Sequence, residues 1–355
     1  MKSYIICCRN SGELMRECVE KSYGHIRYEL PFIGALCVDV PEENTDAVLK
    51  LRGITAATED MKVTKFEAQE SSKSCMGNTE ADSLGRGVSI AVLDTGTHPH
   101  YDLIKPYNRL LVFKDFVNSR TVPYDDDGHG THVSGIAAGN GFSGAPKGIA
   151  PEASIVSLKV LDSDGSGNVS GILAAMQWIC DNHRKYNIRV VNLSLGMTYD
   201  DSVRIDPLHL GVGALYKSGI TVVAAGGNSG PAAKTISSPG NSPHVITAGC
   251  CGTSGVSEFS SRGPAGTYMK PDLVAYGEDI CSLAPGKTAT ATQSGTSMSA
   301  PVVSGAAACL YSAYPQLTAY QVKRILMSAT IPFEQEDRNS QGYGRLDADM
   351  LKELI

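Results

Sequence analysis

What this chain of 355 residues lacks is informative before any motif is read. No stretch reaches the roughly 18 uninterrupted apolar residues of a membrane-spanning helix. The first residues, MKSYIICCRNSGELMRE, have no apolar core of about 7–15 residues such as a secretory leader carries. A cytoplasmic protein with no membrane partner is therefore expected. No long basic run accompanies the formal charge of -6, which excludes nucleic acid and anionic lipid as the main partner. The ten cysteines form no spaced framework. Cys7, Cys8, Cys37, Cys180 and Cys309 sit inside apolar runs, and the pairs Cys7-Cys8 and Cys250-Cys251 lack zinc-site spacing, so they read as packing thiols in a reducing compartment. Internal repeats and low-complexity tails are also missing.

What is present belongs to an ordinary globular protein: 42% hydrophobic residues, 19% charged residues and 37 glycines. The length exceeds the usual single domain, so one large domain and a smaller one are expected. Residues 3–8 read as a strand, 11–23 as a helix, 25–30 and 33–40 as strands, 41–53 as a second helix opened by Pro41-Glu42-Glu43, and 54–60 as a strand. That β-α-β-β-α-β order is ferredoxin-like. Polar residues 67–82 then read as a linker. From Gly87 the runs GVSIAVLD, ASIVSLKVL, RVVNLSL, ITVVAAG and HVITAGC alternate with amphipathic helices, among them one with Val169, Ile172, Leu173, Met176, Ile179 and Cys180 on one face. The fold class expected is α/β, a doubly wound, mostly parallel sheet with ligands beyond the carboxyl ends of its strands.

Asp94 closes the strand SIAVLD at that edge, although an acid there also serves as a turn or cap residue. His129 stands in DDDGHGTHVSG between two glycines at a helix start. It reads as a general base, as a structural imidazole, or, with His132 and the Asp125–127 acids, as part of a metal site. A zincin would need His-Glu-x-x-His, and Gly-Thr separates these histidines instead. Ser297 opens a helix of small residues in QSGTSMSAPVVSG, either as a cap or with its hydroxyl and its own N–H turned toward a site at the positive helix end. Ser294 and Ser299 are less well placed.

Taken together, LDTG, HGTHVSG, AAGGNSG and GTSMSAP resemble the four motifs of the subtilisin-like serine proteases, in that family's order. The resemblance is strong over residues 85–350 and weaker over 1–70. It implies a serine endopeptidase with Ser297 as nucleophile, His129 as base and then acid, Asp94 as the group that holds the imidazole, and Asn228 as oxyanion donor beside the Ser297 N–H. Ser194, Leu195 and Gly196 would pair with the substrate backbone, with Ala225, Gly226 and Gly227 opposite, which makes a polypeptide the substrate. Ser237 and Ser238 with Gly226 and Gly227 would line a roomy primary pocket.

The same resemblance divides the chain into an inhibitory prodomain at 1–66, a linker and mature N-terminus at 67–84, and a catalytic domain at 85–355. A self-processing zymogen would be cut between Phe66 and Glu67 and keep the released piece as its inhibitor, with Glu59-Asp60 on the family's acidic pair. No cofactor is needed for chemistry. A structural calcium at Asp102 is the one metal the resemblance suggests, but the adjoining loop 139–144 offers a single side-chain oxygen, in Asn140, where calcium takes about six to eight oxygens. Two rival classes stay open at this point: a silent relative acting as a binding module, and a metal hydrolase.

Overall fold

The computed structural model describes residues 1–9, 13–21, 24–66, 69–70, 85–198 and 205–354. The expected linker, Glu67 included, lies outside them except for residues 69–70.

At the N-terminus, strands Lys2–Cys8, His25–Leu30, Ala35–Val40 and Ile54–Glu59 form an antiparallel sheet in the order second, third, first, fourth. Side chains alternate across a strand, and here both faces are covered. Tyr4, Ile6, Val38 and Val40 pack with Met15, Val19 and Val48. Ile5, Ala35 and Cys37 face the other way and join a core shared with the larger body, which is why the run reads IICC rather than alternating with polar residues. The second helix is shorter than the sequence suggests: a 3-10 turn at Glu42–Asn44 leads into Thr45–Leu49, where Val48 alone is buried. One apolar anchor sustains little more than a turn.

The larger body is built on a nine-stranded sheet. Its order is Thr330–Ile331, Arg345–Leu346, Leu273–Tyr276, Ile246–Cys251, Thr221–Ala225, Ile188–Leu193, Ser89–Asp94, Ser154–Lys159, Leu110–Asp115. All neighbours run parallel except the first pair, at the edge. Alternation again assigns the faces. Ile90 and Val92 pack with helices His129–Ala138 and Thr296–Ala313, whereas Ala91 and Leu93 pack with Val169–Asn182 and Pro207–Lys217. Leu110–Asp115 and Leu273–Tyr276 escape the sequence reading: the first is an edge strand with Leu111 exposed and charges at its end, and the second is only four residues long.

The N-terminal sheet sits on the helices Val169–Asn182 and Pro207–Lys217. Asp60 accepts from the Ser170 N–H at 2.9 Å and hydroxyl at 2.6 Å, in the first turn of a helix, and pairs with Arg27. The Phe32 N–H donates to Gln177 Oε1 at 3.0 Å and the Thr58 hydroxyl to the Ile205 carbonyl at 3.4 Å.

Candidate active site

Three neighbouring central strands deliver the site from their carboxyl ends: Ser89–Asp94 ends in Asp94, Ile188–Leu193 runs into Ser194, and Thr221–Ala225 leads to Asn228. Asp94 and His129 are both buried, and His129 Nδ1 lies 2.7 Å from Asp94 Oδ1, which also accepts from the Thr95 N–H at 2.8 Å. Burial by itself would hold the imidazole neutral. The charge of Asp94 and the hydrogen bond to it outweigh that and raise the His129 pKa above its ordinary value.

The start of the His129 helix is organised by Asp125, which sequence motifs did not single out for this task. Its Oδ1 accepts from the Thr95 hydroxyl and the Gly128 N–H, each at 2.8 Å, and its Oδ2 from the Thr131 N–H at 2.8 Å and hydroxyl at 2.6 Å. Asp126 pairs at 2.6 Å with the buried ammonium of Lys159. The metal reading of this run therefore finds its carboxylates already engaged. His132 is engaged as well: Nε2 donates to the carbonyls of Ile280 and Ala291, each at 3.1 Å, and burial and the neighbouring His129 push its pKa down to about 4, so it is a neutral structural imidazole. Among the described residues no three His, Cys, Asp or Glu side chains gather as a metal would require.

Ser297 is the second residue of helix Thr296–Ala313 and is buried. Its hydroxyl donates to the Ser194 carbonyl at 3.2 Å, and His129 Nε2 has no partner, so the hydroxyl is turned away from the imidazole in this structure. Beneath it a polar chain ties strand to helix: Asn192 Nδ2 donates to Ser194 Oγ at 3.0 Å, Ser304 Oγ to Asn192 Oδ1 at 2.8 Å, and Ser194 Oγ to the Ser297 carbonyl at 3.0 Å. Asn228 Oδ1 accepts from the Thr296 N–H at 3.0 Å and hydroxyl at 2.9 Å. That fixes which end of the amide is the donor end, as an oxyanion donor requires.

The cleft is filled by the chain itself. Strand Lys62–Lys65 lies between Ser166–Asn168 and Leu195–Gly196, antiparallel to both, with Leu195 opposite Lys65 and Gly196 opposite Thr64. Val63 is fully buried in the core that the N-terminal sheet shares with the larger body. The Phe66 ring packs on Gly196, where a β-carbon would fall 2.5 Å from Cζ and 2.6 Å from the Ser238 carbonyl oxygen; only glycine leaves this floor open. Ser238 bridges to Met197, and the Ser237 N–H donates to the Gly226 carbonyl at 2.9 Å, so the walls expected at 225–227 and 237–238 are joined to each other. Beyond Glu67, which lies outside the described residues, Gln69–Glu70 pairs antiparallel with Thr290–Ser294, close in sequence to Ser297.

Asp102 is placed differently from the calcium ligand suggested for it. Its Oδ2 accepts from the Gly141 N–H at 2.9 Å and its Oδ1 from the Ser143 N–H at 2.7 Å, so the loop turns N–H donors to the carboxylate, whereas calcium needs oxygens turned to itself. Asn140 Nδ2 donates to the Lys105 carbonyl at 2.7 Å. The buried Arg109 guanidinium meets the carbonyls of Ala138 and Ala153 at 2.7 Å, and that of Asp102 as well. This donor set does not fit the ion.

A family model described as the Subtilase family matches residues 85–344. Serine protease AprX of Bacillus subtilis (strain 168) is 39% identical over 297 residues, covering 75% of this chain and 66% of its own length. Thermostable alkaline protease of Halalkalibacterium halodurans is 30% identical over 335 residues, covering 93% of this chain and 87% of its own. Subtilisin E of Bacillus subtilis (strain 168) is 31% identical over 341 residues, covering 92% and 84%. Among solved structures, fervidolysin of Fervidobacterium pennivorans, described as a keratinolytic enzyme related to subtilisin, superposes with a TM-score of 0.81 over 99% of this chain and 61% of its own, at 20% identity, a likeness of fold. The matches and the site agree: the chain belongs to the subtilase family and is a subtilisin-like serine endopeptidase.

Proposed function

We propose that this endopeptidase is made as a zymogen that cuts itself between Phe66 and Glu67, using Asp94, His129 and Ser297 as its triad and Asn228 with the Ser297 N–H as oxyanion donors. The observation that carries the reading is the pairing of the segments on either side of that bond in the sequence: Lys62–Lys65 is bonded into the cleft as a strand, and Gln69–Glu70 is bonded to Thr290–Ser294, the strand that leads to Ser297. In the reaction, rotation of the Ser297 hydroxyl toward His129 Nε2 lets the imidazole take its proton as oxygen attacks the Phe66 carbonyl. Negative charge developing on that carbonyl oxygen meets the Asn228 amide and the Ser297 N–H. His129 then protonates the leaving amine of Glu67, and water repeats the sequence to free Ser297 from the acyl group.

The piece 1–66 then stays as an inhibitor. Burying Val63 contributes about 1.5–3 kcal/mol, to which the strand hydrogen bonds and the Asp60 contacts with Ser170 and Arg27 add. Polypeptides would enter the same strand position as substrates. We also propose a reducing, cytoplasmic setting and a stability independent of calcium at Asp102.

Incubating wild type and Ser297→Ala side by side and sequencing new N-termini tests the reading. Cleavage near Phe66 in the wild type alone, with fluorophosphonate labelling of Ser297, is expected. A wild-type chain that stays uncut yet fully active would sink the inhibitor role.

A further inference from the structure

We propose that Asp127 and Gly165 form a subsite for a cationic side chain, so that this enzyme prefers lysine or arginine at the residue just N-terminal to the one in the primary pocket. The inference rests on the reading that residues 63–66 lie in the cleft as a substrate does. Lys65 is opposite Leu195 in the strand register, and its N–H donates to the Gly165 carbonyl at 2.8 Å, next to Phe66 on the floor of the pocket.

Its side chain occupies a channel of its own. The aliphatic stem crosses Gly165, where a β-carbon would lie 2.5 to 2.6 Å from Lys65 Cγ, Cδ and Cε. Gly165 also has φ of 70°, a left-handed conformation that favours glycine, so both backbone and space reserve the path. At its end the ammonium pairs with Asp127 Oδ2. Asp127 is held ready without the lysine, because its Oδ1 accepts from the His129 N–H at 3.1 Å.

Of the three consecutive acids here, Asp125 is spent on the His129 helix and Asp126 on Lys159. Asp127 alone draws its cation from the segment that the zymogen reading removes. With Lys65 in place its side chain is 9% exposed. A carboxylate this enclosed favours a replacement cation, and an acidic side chain in the channel meets like charge. The same chemistry that recognises Lys65 therefore selects substrates.

The test uses p-nitroanilide peptides Val-Thr-X-Phe with X as Lys, Arg, Ala or Glu, given to the full chain after it has processed itself. The expected kcat/KM for Lys and Arg exceeds that for Ala by about tenfold, the scale of a part-buried ion pair, with Glu below Ala. In Asp127→Asn the Lys-to-Ala ratio falls to about one; taken within each enzyme, the ratio is insensitive to any general loss of activity. Added salt narrows the wild-type ratio, as screening of a partly exposed pair requires. Equal hydrolysis of all four peptides by the wild type, or a lysine preference that survives in Asp127→Asn, overturns the subsite while leaving the protease reading intact. Failure to cleave any of them, together with no fluorophosphonate labelling of Ser297, overturns both.

Discussion

Ser297, His129, Asp94 and Asn228 take their positions from neighbours that short motifs do not advertise. Thr296 orients the Asn228 amide through two hydrogen bonds, and Asp125 fixes the turn that presents His129. Ser297→Ala is expected to abolish peptide hydrolysis while leaving the denaturation midpoint unchanged, measured by peptide assay and by urea titration. Asn228→Ala should lower kcat by about 10²–10³, the loss typical of removing the equivalent donor in subtilisin, with KM little altered. The base must be neutral to accept a proton, and Asp94 raises the His129 pKa, so the acid limb of kcat/KM should fall at a pH above the ordinary histidine value of 6.5. An acid limb below that value would mean that Asp94 does not govern the imidazole. These four residues were legible because each stands in a motif. Thr296 stands in the same motif as Ser297, but its partner Asn228 is 68 residues away, and Asp125 joins the nearby Gly128 and Thr131 to Thr95, 30 residues upstream, pairings that no local pattern encodes.

Helices and strands meet at a few side chains whose worth depends on charge state. On helix His129–Ala138, neutral His132 pins the carbonyls of Ile280 and Ala291. Its pKa is depressed from 6.5 to about 4 in the fold, so the unfolded chain binds the extra proton between those values, and stability present above pH 6.5 is lost as pH falls toward 4. The loss is about 3 kcal/mol at most. Urea titrations of Ser297→Ala and of Ser297→Ala with His132→Gln should show the steeper decline between these pH values in the chain that keeps His132. Asp60 accepts two hydrogen bonds from Ser170 at the first turn of Val169–Asn182. Asp60→Asn should weaken the hold of the N-terminal piece by about 1–2 kcal/mol, read as peptidase activity appearing roughly tenfold sooner after self-cleavage. Unchanged timing would place the hold elsewhere. The helix expected over 41–53 is shorter in the structure because a Pro-Glu-Glu start and a terminal glycine mark bounds without supplying buried contacts between them.

For the molecule as a whole, thiol chemistry follows from packing. Among the described residues Cys7, Cys8, Cys37, Cys180, Cys250, Cys251, Cys281 and Cys309 form no disulfide. Burial raises Cys8 and Cys180 to about 11 and Cys250 and Cys309 to about 12, which keeps these thiols protonated and unreactive. Intact mass after alkylation of the denatured, unreduced chain should therefore show these thiols modified; several paired cysteines needed for stability would overturn the reducing setting proposed above. By itself the sequence determined the α/β class, most of the strands and helices, and where the four motif residues stand along the chain. Apolar periodicity and residue type act locally, and a nucleophile, a base and an oxyanion donor each need a recognisable turn. Only the tertiary structure decided what fills the cleft and which acid does what. Asp125, Asp126 and Asp127 are identical in chemistry and consecutive in sequence, yet each has a different partner, set by what the folded chain brings within hydrogen-bonding distance. Asp102 likewise looks like a cation ligand in sequence, and becomes a loop cap because backbone N–H groups, not carbonyls, reach its carboxylate.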